Sequence, residues 1–255
     1  MMETLLQANN VSMRFGGLLA VDSVDMIVRQ GEIHGLIGPN GAGKTTFFNI
    51  LSGVYIPTGG TIEFLGKDIT KKKPHQIAEM GITRTFQNIL LFNGLSVLEN
   101  VMIGFHSRCH SNVINTLLQT PKMKKEEQRC YEKAREMIAF MNLESDERTI
   151  VDGMPYGKKR LVEIARALAA EPKILMLDEP CAGMNPTETE SLINTVYSIR
   201  EKGITVLLVE HNMRVAMGIS DIVTVLDHGR KICEGLPETV RNDSRVIEAY
   251  LGNEE

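Results

Sequence analysis

The segment GPNGAGKT, Gly38–Thr45, lies between a short apolar run, EIHGLIG, and a helix-like stretch, KTTFFNILSG. It satisfies G-x-x-x-x-G-K-[ST] in the order strand, glycine-rich turn, helix. That order confines the chain to folds in which a tight loop joins a buried strand to a helix N-terminus. Gly38, Gly41 and Gly43 permit backbone turns that side chains would block, so successive N–H groups converge on phosphate oxygens. In such a loop Lys44 reaches the β- and γ-phosphates, and the Thr45 hydroxyl ligates Mg²⁺.

A second motif complements the first. ILMLDEP reads as a buried strand whose C-terminal end delivers Asp178 to a Mg²⁺ shell. Glu179, next along, is placed to take a proton from an attacking water. A kinase would instead recruit a substrate hydroxyl, so the paired carboxylates argue against a small-molecule kinase. The run ITVLLVE leads to His211, and strand C-termini are where ligands bind in open parallel sheets. Taken alone, His211 and Gln87 (in RTFQN) are polar residues near strand ends.

The remaining chain is ordinary in composition and regular in pattern. With 43% hydrophobic and 24% charged residues, 255 residues support a sizeable core. The net charge of −4 gives no reason to expect nucleic-acid binding, and KKKP (Lys71–Pro74) reads as a solvated loop before the helix PHQIAEMG. Cys109, Cys130, Cys181 and Cys233 have no C-x-x-C or metal-ligand spacing, which predicts reduced structural thiols. MMETLLQANN lacks the basic-then-apolar order of a secretory signal, and no apolar stretch approaches the roughly 18–20 residues that span a bilayer.

Extended segments fill the first thirty residues or so, and PTGGTIEFLG predicts a turn into an edge strand. From about Asn88 to Leu168 the pattern becomes helical. SVLENVMIGF opens with Ser96 and has Glu99 three residues later, a capping box. KMKKEEQRCYEKAREMIAFM sets Met123, Cys130, Ala134, Met137 and Met141 on one core-facing stripe. Strands and helices then alternate from KILML to KICEG. The expectation is an α/β fold with a mostly parallel sheet covered on both faces and interrupted by a helical insert. The loop MPYGKKR opens onto the helix that ends in ARALAA, and by itself is either a phosphate contact or a turn before a core helix.

Along almost its whole length the sequence resembles the ATP-binding subunits of ABC transporters. GPNGAGKTT matches the Walker A loop, RTFQN the Q-loop, ILMLDE the Walker B strand and VEHNM the H-loop, in the family's order. By this resemblance MPYGKKR is the signature loop. VSMRFGGLLAVD, RTFQNILLF, YGKKRLVEIARAL, GMNPTETE, VEHNMRVAMGISD and RVIEAYLG resemble more narrowly the LivG-type ATPases of branched-chain amino-acid importers.

The resemblance implies one P-loop NTPase domain over residues 1–255. Residues 1–87 and 169–255 would form the nucleotide-binding core with an N-terminal antiparallel β subdomain, and 88–168 a helical subdomain. ATP and Mg²⁺ are the implied cofactors. The implied ATP contacts are Phe15, stacked on adenine, and Gly38, Pro39, Asn40, Gly41, Ala42, Gly43, Lys44, Thr45 and Thr46. Mg²⁺ would meet Thr45, Gln87 and Asp178, while Glu179, His211 and Gln87 would serve hydrolysis. Tyr156, Gly157 and Lys158 would touch the ATP of a second ATPase subunit in a head-to-tail dimer.

Two permease subunits would complete the complex at the cytoplasmic face of the inner membrane, with a substrate-binding protein outside and no nucleic acid. The Gln87 region and helical insert would meet the permease. Three features depart from the general family pattern: Pro155 replaces the signature serine, Tyr156 a glycine and Lys158 the glutamine. Asn185 also stands where an aspartate is usual, although Asn185–Pro186 is a good helix start. The rival readings are an ABC-type ATPase for urea, another amide or lipopolysaccharide, and one acting on nucleic acid or the ribosome. The last usually carries a long coiled-coil insert or a second cassette, and neither is evident here.

Overall fold

The computed structural model describes residues 3–105 and 121–251. Strands β1 (Thr4–Phe15) and β2 (Leu18–Arg29) form a long hairpin. Its alternation of apolar and polar residues buries Val11, Val21, Val24, Met26 and Val28 on one side. Strands β4 (Gly59–Phe64) and β5 (Lys67–Asp68) complete an antiparallel sheet of order β2-β1-β4-β5. The edge position expected for β4 is therefore corrected. Leu65 and Gly66 both take positive φ and turn the chain back, so β5 covers β4 opposite β1.

The second sheet contains β3 (Ile33–Ile37), β6 (Ile82–Arg84), β7 (Ile174–Asp178), β8 (Thr205–Val209), β9 (Ile222–Asp227) and β10 (Arg230–Gly235). Its order is β10-β9-β3-β8-β7-β6, parallel throughout except for β10 at the edge. Every residue of β3, β7 and β8 is buried, which explains why these segments read as unbroken apolar runs.

Alternate residues serve opposite faces. Ile174, Met176, Leu207 and Val209 pack with Phe47, Phe48 and Leu51 of α1 (Lys44–Leu51). Leu175, Leu177, Val206 and Leu208 pack with Leu192, Val196 and Ile199 of α6 (Pro186–Glu201). Each such fully buried side chain contributes about 1.5–3 kcal/mol of transfer free energy. Helix α2 (Pro74–Met80) precedes β6, and α7 (Met213–Ile219) links β8 to β9. Two short helices, α8 (Pro237–Arg241) and α9 (Ser244–Leu251), follow β10. The basic run before α2 leaves Lys71 and Lys73 exposed.

Between β6 and β7 the described chain is helical: α3 (Val97–Gly104), α4 (Pro121–Phe140) and α5 (Tyr156–Ala169). The capping box at the start of α3 is present, with Ser96 Oγ accepting from the Glu99 N–H at 3.2 Å. Cys130, Ala134 and Met141 face the core, joined by Ile138; Met137 is half-buried. Met123 lies outside the residues whose side chains are described, and Cys109 outside the described residues altogether. Cys130 and Cys233 are buried and form no disulfide, and burial pushes the half-buried Cys181 thiol up to about 12. These are inert environments for cysteine, as a structural role requires.

Among the described residues no helix is long and apolar enough to cross a membrane.

Candidate nucleotide site

At the C-terminal end of β3 the chain leaves the sheet at Gly38 and re-enters regular structure at Lys44. Two glycines are dictated by space as well as by φ. A Cβ on Gly38 would lie 2.1 Å from the Leu226 carbonyl oxygen, and one on Gly43 would lie 2.5 Å from that of Ala20. Gly43, at φ +94°, is the N-cap of α1 and has no side chain to satisfy the first-turn N–H groups. Those groups and the helix dipole are left for an anion.

The loop borders a cavity of about 560 Å³. Asn40, Gly41, Ala42, Gly43, Lys44, Thr45 and Thr46 line one side, and Gln87, Glu179 and His211 another. Gly38 and Pro39 stand behind the lining, where their carbonyls accept hydrogen bonds from Lys44 Nζ at 2.7 and 2.9 Å. Lys44 is thus folded over the loop and buried. Burial lowers its pKa from the usual lysine value, and the negative charge of Glu179 opposes that shift.

Three strand ends converge on this cavity. Gln87 follows β6, Glu179 follows β7 and His211 follows β8. Gln87 Nε2 donates to Glu179 Oε2 at 3.0 Å, and His211 Nε2 lies 2.5 Å from Glu179 Oε1. Glu179 itself sits at φ +46°, a left-handed conformation uncommon for a side-chain-bearing residue. Its N–H donates to the Val209 carbonyl, which ties the unusual backbone to the neighbouring strand. Such strain persists where the surroundings over-determine it, commonly at sites of chemistry.

Asp178 lies deeper, at 3% exposure, and does not line the cavity. Its Oδ2 accepts from Arg84 Nη2 at 2.7 Å. Among the described residues no cluster of three or more His, Cys, Asp or Glu side chains could hold a metal. A Mg²⁺ site built from one carboxylate, a hydroxyl, an amide oxygen and substrate phosphates needs no such cluster, and Thr45, Gln87 and Asp178 supply oxygen donors of that kind.

Other expected contacts lie apart. Phe15 is 41% exposed and packs edge-on against Tyr55, ring centroids 5.4 Å apart, outside the cavity lining. Tyr156, Gly157 and Lys158 form the first turn of α5, after Pro155 as an N-cap without a side-chain acceptor. They also lie outside the cavity lining. Tyr156 is exposed, whereas Lys158 pairs with Asp146 at 2.6 Å. Gly157 is buried, and a Cβ there would lie 2.9 Å from Glu188 Oε1. Asn185 opens α6 as expected: its side chain accepts from the Glu188 N–H at 2.9 Å, with Pro186 in the first turn.

Several cavity and support residues carry little signal in the sequence. Leu18, Leu19, Ala20, His228 and Gly229 line the cavity only because the β-hairpin and the β9–β10 turn meet there. Arg84 is stacked between the rings of Phe48 and Phe86, at 4.8 and 5.3 Å from their centroids. A second cavity, about 860 Å³, opens beside it and is lined by Val54, Ile82, Phe92, Ile103 and Arg166 among others.

The ABC transporter family model matches residues 21–182, and that of the branched-chain amino acid ATP-binding cassette transporter matches residues 230–255. The high-affinity branched-chain amino acid transport ATP-binding protein BraF of Pseudomonas aeruginosa is 42% identical over 253 residues, 99% of each chain. LivG of Escherichia coli K12, a protein of the same description, shows the same identity and coverage. A crystal structure of the ADP conformation of an ATP-binding cassette of an ABC transporter superposes with a TM-score of 0.86 at 34% identity, covering 98% of this chain and 100% of that one. The chain belongs to the ABC transporter family.

Proposed function

We propose that this chain is the ATP-hydrolysing subunit of an importer for branched-chain or other hydrophobic amino acids. The observation that carries the reading is the convergence of Gln87, Glu179 and His211 on the cavity bordered by the Gly38–Thr46 loop. Cargo is inferred from the relatives, whose descriptions name branched-chain amino acid transport.

In this reading Lys44 exchanges its two loop carbonyls for the β- and γ-phosphates, and the free N–H groups of the first turn of α1 complete the cradle. Phe15, beside Tyr55, is the stacking surface for adenine. Thr45, Gln87 and Asp178 would hold Mg²⁺, which neutralises phosphate charge when bound. Glu179 takes a proton from the attacking water as its oxygen bonds to the γ-phosphorus and the bond to the leaving ADP oxygen breaks. Gln87 and His211 orient the carboxylate through its two oxygens.

A second ATPase subunit, identical or related, packs head-to-tail and presents its Tyr156–Lys158 turn to this ATP. One of two permease subunits meets the Gln87 region and the helical insert at the cytoplasmic face of the membrane, and an extracytoplasmic binding protein feeds the pair. Residues 88–168 act as the helical subdomain that links the two sites.

Purification of the native complex through this chain tests the assignment. Permease and binding-protein subunits should copurify, and proteoliposomes should take up labelled leucine when ATP is enclosed with this subunit. Stimulation of hydrolysis by urea or an amide but not by leucine would reassign the cargo.

A further inference from the structure

The Gln87 loop and the first turn of α5 are joined by a buried ion pair to which the activity gives no role. Arg160 and Glu163 are 0% and 1% exposed in their side chains and lie 2.7 Å apart, three residues apart on α5. Arg160 Nη1 also donates to the Phe86 carbonyl at 2.7 Å, and Nη2 to the Gln87 carbonyl at 2.9 Å. From the other side, Glu163 Oε1 accepts the N–H groups of Phe86 and Leu90, each at 3.4 Å. Arg160 Nη2 reaches back to the Tyr156 hydroxyl, 3.3 Å away in the turn expected to face the second nucleotide.

A buried pair is weak as a stabiliser, because well-packed apolar residues of similar size commonly do as well or better. What apolar residues cannot do is satisfy the polar backbone of an irregular loop. Here one pair holds the loop on both flanks of Gln87, whose side chain bonds Glu179. Resting on the reading that Gln87 and Glu179 serve hydrolysis, we propose that Arg160 and Glu163 are positioning residues. They bind the signature-loop helix to the Gln87 loop, so that a displacement of the Tyr156–Lys158 turn is delivered to the Gln87–Glu179 contact.

The test is a double-mutant cycle in the assembled transporter between Glu163→Gln and Gln87→Ala, with hydrogen exchange of the full-length subunit. Glu163→Gln should lower kcat about tenfold with KM unchanged within about twofold. It should speed exchange of the Phe86 and Leu90 amides about tenfold while the β7 and β8 amides exchange as before. In the Gln87→Ala background the same substitution should change kcat by less than about twofold, because the pair acts through Gln87. Arg160→Lys, which keeps the charge but loses the fork, should reproduce the pattern and serves if Glu163→Gln does not fold. Unchanged loop exchange, or the full loss of kcat in the Gln87→Ala background, overturns the positioning role. Wild-type turnover by Gln87→Ala alone would instead remove the reading of Gln87 on which the proposal rests.

Discussion

Arg84 Nη2 lies 2.7 Å from Asp178 Oδ2, with side-chain exposures of only 9% and 4%. The same guanidinium donates to Asn49 Oδ1 and Ser52 Oγ of the α1 region at 2.6 and 2.9 Å. One arginine therefore fixes the carboxylate at the end of β7 against the helix that follows the phosphate loop. Arg84→Met leaves a buried carboxylate without its partner and should destabilise the fold by about 3–5 kcal/mol. The double variant Arg84→Met/Asp178→Asn should recover most of that loss. Urea unfolding of the full chain measures both, and simple additivity of the two single losses would show that the pair is not the stabilising unit.

Glu210 gives the fold a distinct pH dependence. It is 3% exposed, and burial raises its pKa above the ordinary 4.5, while its hydrogen bond from the Cys181 N–H works the other way. The folded state holds the Glu210 proton more tightly than the unfolded chain does. Its contribution to stability is therefore complete below pH 4.5 and is lost as pH rises through the folded-state value. Glu210→Gln should flatten this part of the stability profile and give the more stable protein at neutral pH. Urea midpoints at a series of pH values decide it; parallel profiles for the two proteins would contradict the assignment.

Gly157 has neighbours within its own chain. A Cβ there would approach the far end of the flexible Glu188 side chain, so Gly157→Ala should fold with small rearrangement. Gly157→Asp adds a negative charge beside Glu188 and, in the proposed head-to-tail dimer, toward the ATP of the second subunit. It should lower ATPase activity of the assembled transporter more than about tenfold while nucleotide affinity of the separate subunit stays within about threefold. Normal hydrolysis by Gly157→Asp would make the loop only a turn before a core helix.

Local pattern made much of this legible. The phosphate loop, the buried strands ending at Asp178 and near His211, and the capped starts of α3 and α6 all depend on neighbouring residues and their spacing. Contacts across sequence distance were not legible. Nothing near Arg84 in the sequence announces Asp178, 94 residues away, and nothing near Phe86 announces Arg160, 74 away. The resemblance supplied Phe15 and Gln87, whose own surroundings read as an amphipathic strand and a strand end. The carbonyl contacts of Lys44 with Gly38 and Pro39 are likewise not written in the motif itself. β4 reads as an edge strand because its two-residue partner, β5, leaves almost no periodicity in the sequence.

Glu179, held by Gln87 and His211, is proposed as the base that activates water. Its most direct test is the turnover of Glu179→Gln in the assembled transporter beside the nucleotide affinity of the same variant. Turnover should fall by about 10²–10⁴ while ATP still binds as in the native protein, because the amide keeps the shape but cannot take the proton. Near-normal hydrolysis by that variant would rule Glu179 out as the base.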